Sequence, residues 1–141
     1  MVLNLYDRNL PGKFDFSKYF RTFAEKTKHM SYIEKYLNDV LPEPTSHHIG
    51  VKQVLLANGE TSTAVTQIAK NTLKAGERVE EHVHPTMDEH YLCFSGEGVL
   101  WVEDKKIAFT KDTYVLVKAG SRHCLEALSD ICFLTMGIAT E

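Results

Sequence analysis

The chain has 141 residues, 43% hydrophobic and 25% charged, which fits one globular domain with a real core. Its formal net charge of −3 excludes the overall basic field that gathers nucleic acid. Its apolar runs, such as 114–117 and 131–134, are too short to span a bilayer, so no membrane partner is expected.

From the N-terminus the chain reads first as helix. It starts Met1, Val2, Leu3, Asn4, Leu5, without the basic start and long apolar stretch of a signal peptide. Phe16, Tyr19, Phe20 and Phe23 recur at three- and four-residue steps and make one aromatic stripe. Ser31 and Glu34 have capping-box spacing for a second helix, in which Ile33, Tyr36, Leu37, Val40 and Leu41 form the apolar face. Pro42 and Pro44 stop it. Both stripes are expected to pack on the following domain or on a partner subunit. Residues 1–48 therefore read as a helical extension, and residues 49–141 as a separate β domain.

After Gly50 the pattern turns to strands. Val51 opens a run that ends at the turn signal Asn58-Gly59. Further runs follow at 63–73, 79–85, 89–95, 99–103, 106–109, 113–117, 122–128 and 131–138. Gly76, Gly96, Gly98, Asp104, Gly120 and Asp130 punctuate them. Many short strands at even spacing predict an all-β sandwich, jelly roll or barrel. The three cysteines, Cys93, Cys124 and Cys132, lie in these runs without CxxC spacing, which predicts reduced thiols and a cytoplasmic location.

One stretch carries chemistry. Gly76, His82, His84, Glu89 and Gly96 have the spacing G-x5-H-x-H-x4-E-x6-G. On a strand His82 and His84 point to one face, about 6–7 Å apart at Cα, so both imidazoles reach one metal. Glu89 opens the returning strand and brings a carboxylate beside them. His123 follows the turn at 118–122 and enters the same interior. Three imidazoles and a carboxylate suit one divalent transition metal (Mn, Fe, Ni, Co, Cu or Zn) and make a poor site for Mg or Ca. By strand alternation Tyr91 and Cys93 share the inward face with Glu89, and Leu125 and Ala127 share it with His123. Tyr91 is the candidate to support a ligand or substrate by hydrogen bonding; it also fits as plain filling. No catalytic residue beyond it is assigned. Cys93 reads as packing and Trp101 as core or interface. His90 points away from the interior, and His29, His47 and His48 read as solvated.

This stretch resembles the first motif of the cupins at each of its five fixed positions. Residues 112–127 resemble the second motif in part: Gly120 and His123 fit, whereas Asp112, Lys118 and Ala127 stand where Gly, Pro and Asn are usual. The resemblance covers roughly residues 50–138. It implies a double-stranded β-helix (jelly-roll) barrel with His82, His84, Glu89 and His123 as metal ligands, and, as in small one-domain cupins, a homodimer. Cupins include dioxygenases, decarboxylases, oxidases, isomerases and binding domains without catalysis. The expected function is metal-dependent chemistry on a small oxygen-rich molecule, a sugar derivative or organic acid, by oxygen chemistry or Lewis-acid isomerisation. The alternatives are a non-catalytic sensor or binding module, and a metal-free epimerase or ketoisomerase using His and Tyr, against which the four-ligand set speaks.

Overall fold

The computed structural model describes residues 32–141. Lys35–Glu141 form one compact unit, and the division from the preceding residues falls after Glu34. The strands are β1 (Glu43–Pro44), β2 (Val51–Leu56), β3 (Val65–Leu73), β4 (Arg78–His82), β5 (Met87–Ser95), β6 (Glu97–Val102), β7 (Lys105–Thr110), β8 (Tyr114–Val117), β9 (His123–Ala127) and β10 (Ile131–Ala139). They build two antiparallel sheets, ordered β1-β2-β3-β10-β5-β8 and β4-β9-β6-β7. From β3 to β10 this order is that of a jelly roll, with β1 and β2 widening one sheet at its edge.

Alternation along the strands decides what lies between the sheets. Tyr91 and Cys93 of β5, Phe133 of β10, Leu100 of β6, Phe109 of β7 and Leu125 of β9 are buried in one cluster with Leu73, Val117, Ala127 and Ile131. Burying each of the larger side chains contributes about 1.5–3 kcal/mol. Tyr91 lies near-parallel to Phe133 at 6.1 Å between ring centroids and edge-on to Phe109, also at 6.1 Å.

Turn chemistry fits the sheet connections. Gly96, between β5 and β6, has φ +85°, and a Cβ there would overlap the backbone carbonyl of Asp130. Asp112, where the resemblance leads one to expect glycine, also takes a left-handed backbone, with φ 66°. Aspartate tolerates that region better than most side chains. The Asp112 N–H donates to the Cys93 carbonyl at 2.9 Å, so the turn keeps its geometry without the glycine.

The N-terminal expectation needs correction. The stripe at 16–23 lies outside the described residues. The helix expected from Ser31 to Leu41 does not form over the described part: one short 3-10 turn, Leu37–Asp39, is the only helix among the described residues. Gln53 on β2 donates its side-chain amide to the carbonyls of Leu37 and Val40, at 2.8 Å each. β1 then pairs with β2, Glu43 opposite Lys52. The segment is too short to be a stable helix alone, and prolines at 42 and 44 bias their predecessors to extended backbone. An open sheet edge offers it partners instead. No helix among the described residues is long and apolar enough to cross a membrane.

Candidate metal centre

Four side chains meet inside the jelly roll. His82 ends β4 and His123 begins β9, and the two lie opposite each other in the antiparallel register. His84 follows two residues later, and Glu89 comes from β5 on the facing sheet. The turn from Lys118 to Ser121 closes with a Ser121 N–H to Lys118 carbonyl bond, and the Gly120 N–H donates to the His84 carbonyl at 2.9 Å. Asp88 accepts from the Ala119 N–H at 2.8 Å. These bonds tie the segment bearing His84 and the strand bearing Glu89 to the loop that leads into His123, so their spacing is set by backbone.

One ligand atom from each of His82, His84, Glu89 and His123 lies within 4.8 Å of the others. Backbone carbonyls set two tautomers. His82 Nδ1 donates to the Glu80 carbonyl at 2.8 Å, and His123 Nδ1 to the Ser121 carbonyl at 3.1 Å. A carbonyl only accepts, so both Nδ1 atoms carry hydrogen; the neutral His82 ring then turns a bare Nε2 inward, while His123 Nε2 is hydrogen-bonded to Glu89. Glu89 Oε2 lies 3.2 Å from Nε2 of His84 and 3.2 Å from Nε2 of His123, and it accepts the Tyr91 hydroxyl at 2.6 Å. The His84 contact is an ion-pair distance rather than an aligned hydrogen bond: its Nε2 is buried without a hydrogen-bond partner. The inward His82 lone pair, one carboxylate oxygen and an orphaned imidazole nitrogen, with the His123 ring beside them, together make a cradle for a cation. The donor set fits a first-row divalent transition metal and could supply it with four ligands.

The electrostatics follow from burial and proximity. Burial pushes the Glu89 carboxyl up, but the close approach of His123, His84 and Tyr91 outweighs it and holds the group well below the usual carboxylate range. Burial, and then the Glu89 charge, push the Tyr91 phenol well above its ordinary value, so Tyr91 stays a donor. The Glu89 carboxylate holds His84 above its ordinary value, whereas burial lowers His82.

The four expected ligands are therefore brought together, and Tyr91 supports Glu89 rather than filling space alone. Cys93 is fully buried, its thiol facing the carbonyls of Ser95, Gly96 and Cys132. His90 is turned away from the cluster, with Nδ1 2.6 Å from the Tyr114 hydroxyl. Trp101 lies under Arg78, whose guanidinium carbon is 5.2 Å from the ring centroid, and does not line the cavity. His47 is exposed, as expected, yet it reaches the site. Its ring sits 4.2 Å from that of His82 at the mouth of the site, presented by a tight turn in which Thr45 Oγ1 donates to the Ile49 carbonyl at 2.6 Å. No spacing rule relates residue 47 to residue 82. The one available signal was the turn-forming run Pro44-Thr45-Ser46 ahead of it.

A cavity of about 370 Å³ opens above the cluster, walled by Leu73, Val79, Leu125 and Phe133 on its apolar side. Residues 70–136, which carry the four ligands and both halves of the ligand frame, match the cupin domain family. The barrel is a cupin domain. No curated protein sequence matches the chain. Among solved structures, a predicted oxalate decarboxylase from Thermotoga maritima superposes with a TM-score of 0.70 at 22% identity, covering 76% of this chain and 99% of that one. Ectoine synthase from P. lautus gives 0.67 at 18% identity, covering 77% and 78%. KdgF from Halomonas sp. gives 0.65 at 11% identity, covering 79% and 96%. At such identities the likeness establishes the cupin fold and leaves the activity open.

Proposed function

We propose that this cupin binds one divalent transition metal on His82, His84, Glu89 and His123 and acts there on a small oxygen-rich molecule. The observation that carries this reading is the convergence of four ligand atoms, one an orphaned buried nitrogen, at the foot of a cavity of ligand size. When bound, such a metal supplies a Lewis acid and, if redox-active, electrons for oxygen chemistry. The chain's own groups supply the rest. The Glu80 and Ser121 carbonyls fix two ring orientations. Tyr91 keeps Glu89 ionised, and the apolar wall limits water. Tyr91 is already committed to Glu89, which disfavours the metal-free reading in which a tyrosine serves as a free acid.

The decisive experiment is elemental analysis of protein purified without chelator, with mass spectrometry of any small molecule it retains. One equivalent of transition metal per chain is expected. A chain that takes up none of Mn, Fe, Co, Ni, Cu or Zn overturns the reading. Iron or manganese favours oxygen chemistry; zinc or nickel favours isomerisation or simple binding. Three free cysteines support a cytoplasmic location. Exposed Tyr114 and Leu116 on edge strand β8, with exposed Tyr36 and Leu41 near β1, support a homodimer.

A further inference from the structure

The inner face of the larger sheet carries a second polar group besides the ligand cluster. Glu89 on β5 lies opposite Gly137 on β10, and Gly137 lies opposite Gln67 on β3. Paired strands are about 4.8 Å apart, so Gln67 stands about 10 Å from Glu89 at Cα, in the same row of the same face. Between them Gly137 carries no side chain, and Thr66 Oγ1 and the Met87 sulfur occupy the space where its Cβ would stand. Further along this face Lys52 on β2 lies opposite Asn71. Lys52 Nζ reaches back to donate to Gln67 Oε1 at 3.2 Å. Lys52, Gln67 and Asn71 line the same cavity as His82, His84 and Glu89.

An ammonium in such a place calls for a counter-charge. The Lys52 side chain is only 16% exposed, and lysine is seldom this enclosed unless paired. Its carboxylate neighbour, Glu43 at the edge of the sheet, stands 3.6 Å away with its side chain 55% exposed. An ion pair that open to water is weak. Asn71 is occupied by the Ala69 carbonyl at 3.2 Å and Thr135 Oγ1 at 2.9 Å. With Gln67 Oε1 turned to Lys52, the Gln67 amide N–H group is left to donate. The cavity thus has a metal-ligating end and, across Gly137, a cationic end with an amide donor beside it.

We infer that the molecule this cavity takes is a small carboxylate, its carboxylate group held by Lys52 and Gln67 and an oxygen function at its other end facing His82, His84 and Glu89. The far end of this assignment rests on the metal reading above; the Lys52 end does not. A neutral sugar would leave the ammonium with only the Gln67 amide oxygen and the solvent-exposed Glu43 carboxylate, so the oxygen-rich class narrows to organic acids.

The test is calorimetric titration of the full-length, Co(II)-loaded protein with dicarboxylates from malonate to adipate, each against its neutral diamide. Metal content is measured on every sample. At least one dicarboxylate is expected to bind and its diamide not to. Lys52→Met should weaken that binding by about tenfold or more at unchanged metal content, and Lys52→Arg should restore much of it. Gln67→Leu, which alters no charge, should also weaken it and serves as the second variant if Lys52→Met does not fold. The inference is overturned if no dicarboxylate binds, if diamides bind as well as acids, or if Lys52→Met and Gln67→Leu both bind like the wild type. If the chain takes up no cobalt, the same titrations on metal-free protein separate the two claims. Lys52-dependent binding of acids over diamides then keeps the carboxylate site while the metal centre falls.

Discussion

The Tyr91 hydroxyl donates a 2.6 Å hydrogen bond to Oε2 of Glu89, the same oxygen that faces Nε2 of both His84 and His123. Tyr91 is itself buried against Phe109 and Phe133. The hydrophobic core therefore reaches directly into the ligand cluster and orients its one carboxylate.

Tyr91→Phe removes that donor and keeps the ring packing. Hydrogen bonds to charged groups contribute about 1.5–3 kcal/mol, and loss of such a support to a ligand lowers metal affinity about 10–100-fold. The expected result is a fold of native spectrum with weaker metal binding, read by competition against a chromophoric chelator. Unchanged affinity would reduce Tyr91 to packing.

Metal binding should appear as a gain in stability that each ligand change abolishes. At free metal about 100 times Kd, a bound metal stabilises by about 2.7 kcal/mol. Wild-type protein should melt higher when metal is added, and His82→Ala, His84→Ala, Glu89→Ala and His123→Ala should not. His47→Ala should keep the shift, because His47 lies tilted against His82 and stands outside the four-atom cluster. Loss of metal in His47→Ala would make it a fifth ligand.

The pH dependence should change sign with metal. In metal-free protein Glu89 raises His84 above its ordinary value of about 6.5. A raised folded value contributes stability that is complete below the unfolded value and is lost as pH rises through the folded one. Glu89 is depressed, so its contribution is present above the ordinary carboxylate value of about 4.3 and is lost only in acid. Both contributions are present together between about pH 4.5 and 6.5. His84→Ala should then destabilise metal-free protein more at about pH 5.5 than at about pH 8, by urea titration. The stabilisation that metal confers on the wild type should instead be larger at about pH 8, where protons no longer compete for imidazole nitrogen. A metal effect independent of pH would argue against histidine ligation.

Cys93, Cys124 and Cys132 are all free thiols. Alkylation after denaturation without reductant should modify all three, by intact mass. In the native state Cys93 should react last, since it is fully buried and burial pushes its thiol up.

Light scattering at tens of micromolar should report twice the 16.0 kDa chain mass. Leu116→Glu, on the exposed face of β8, should shift the protein toward monomer if that edge forms the interface. A wild-type monomer would remove the dimer from the reading.

Much of this cupin could be read from local pattern. The His82-x-His84 step works because strand alternation alone puts both rings on one face, and Glu89, Tyr91 and Cys93 follow the same period. Gly96 was legible because its turn needs a left-handed backbone. The apolar steps from Ile33 to Leu41 misled for the converse reason. Period indicates a helix only where no competing partner exists, and here Gln53 and the edge of β2 take the backbone carbonyls that a helix would have used. Leu41, on the expected apolar face, is 84% exposed in the single chain.

The local sequence determined which residues could ligate a metal, since ligand type and two-residue spacing are properties of a strand by itself. Only the tertiary structure decided what stands around them. His47 over His82, Tyr91 on Glu89, and Lys52 beside Gln67 across the floor at Gly137 all depend on register between strands. Register is set by the turns and by the packing of both sheets together, and no short stretch of chain contains it.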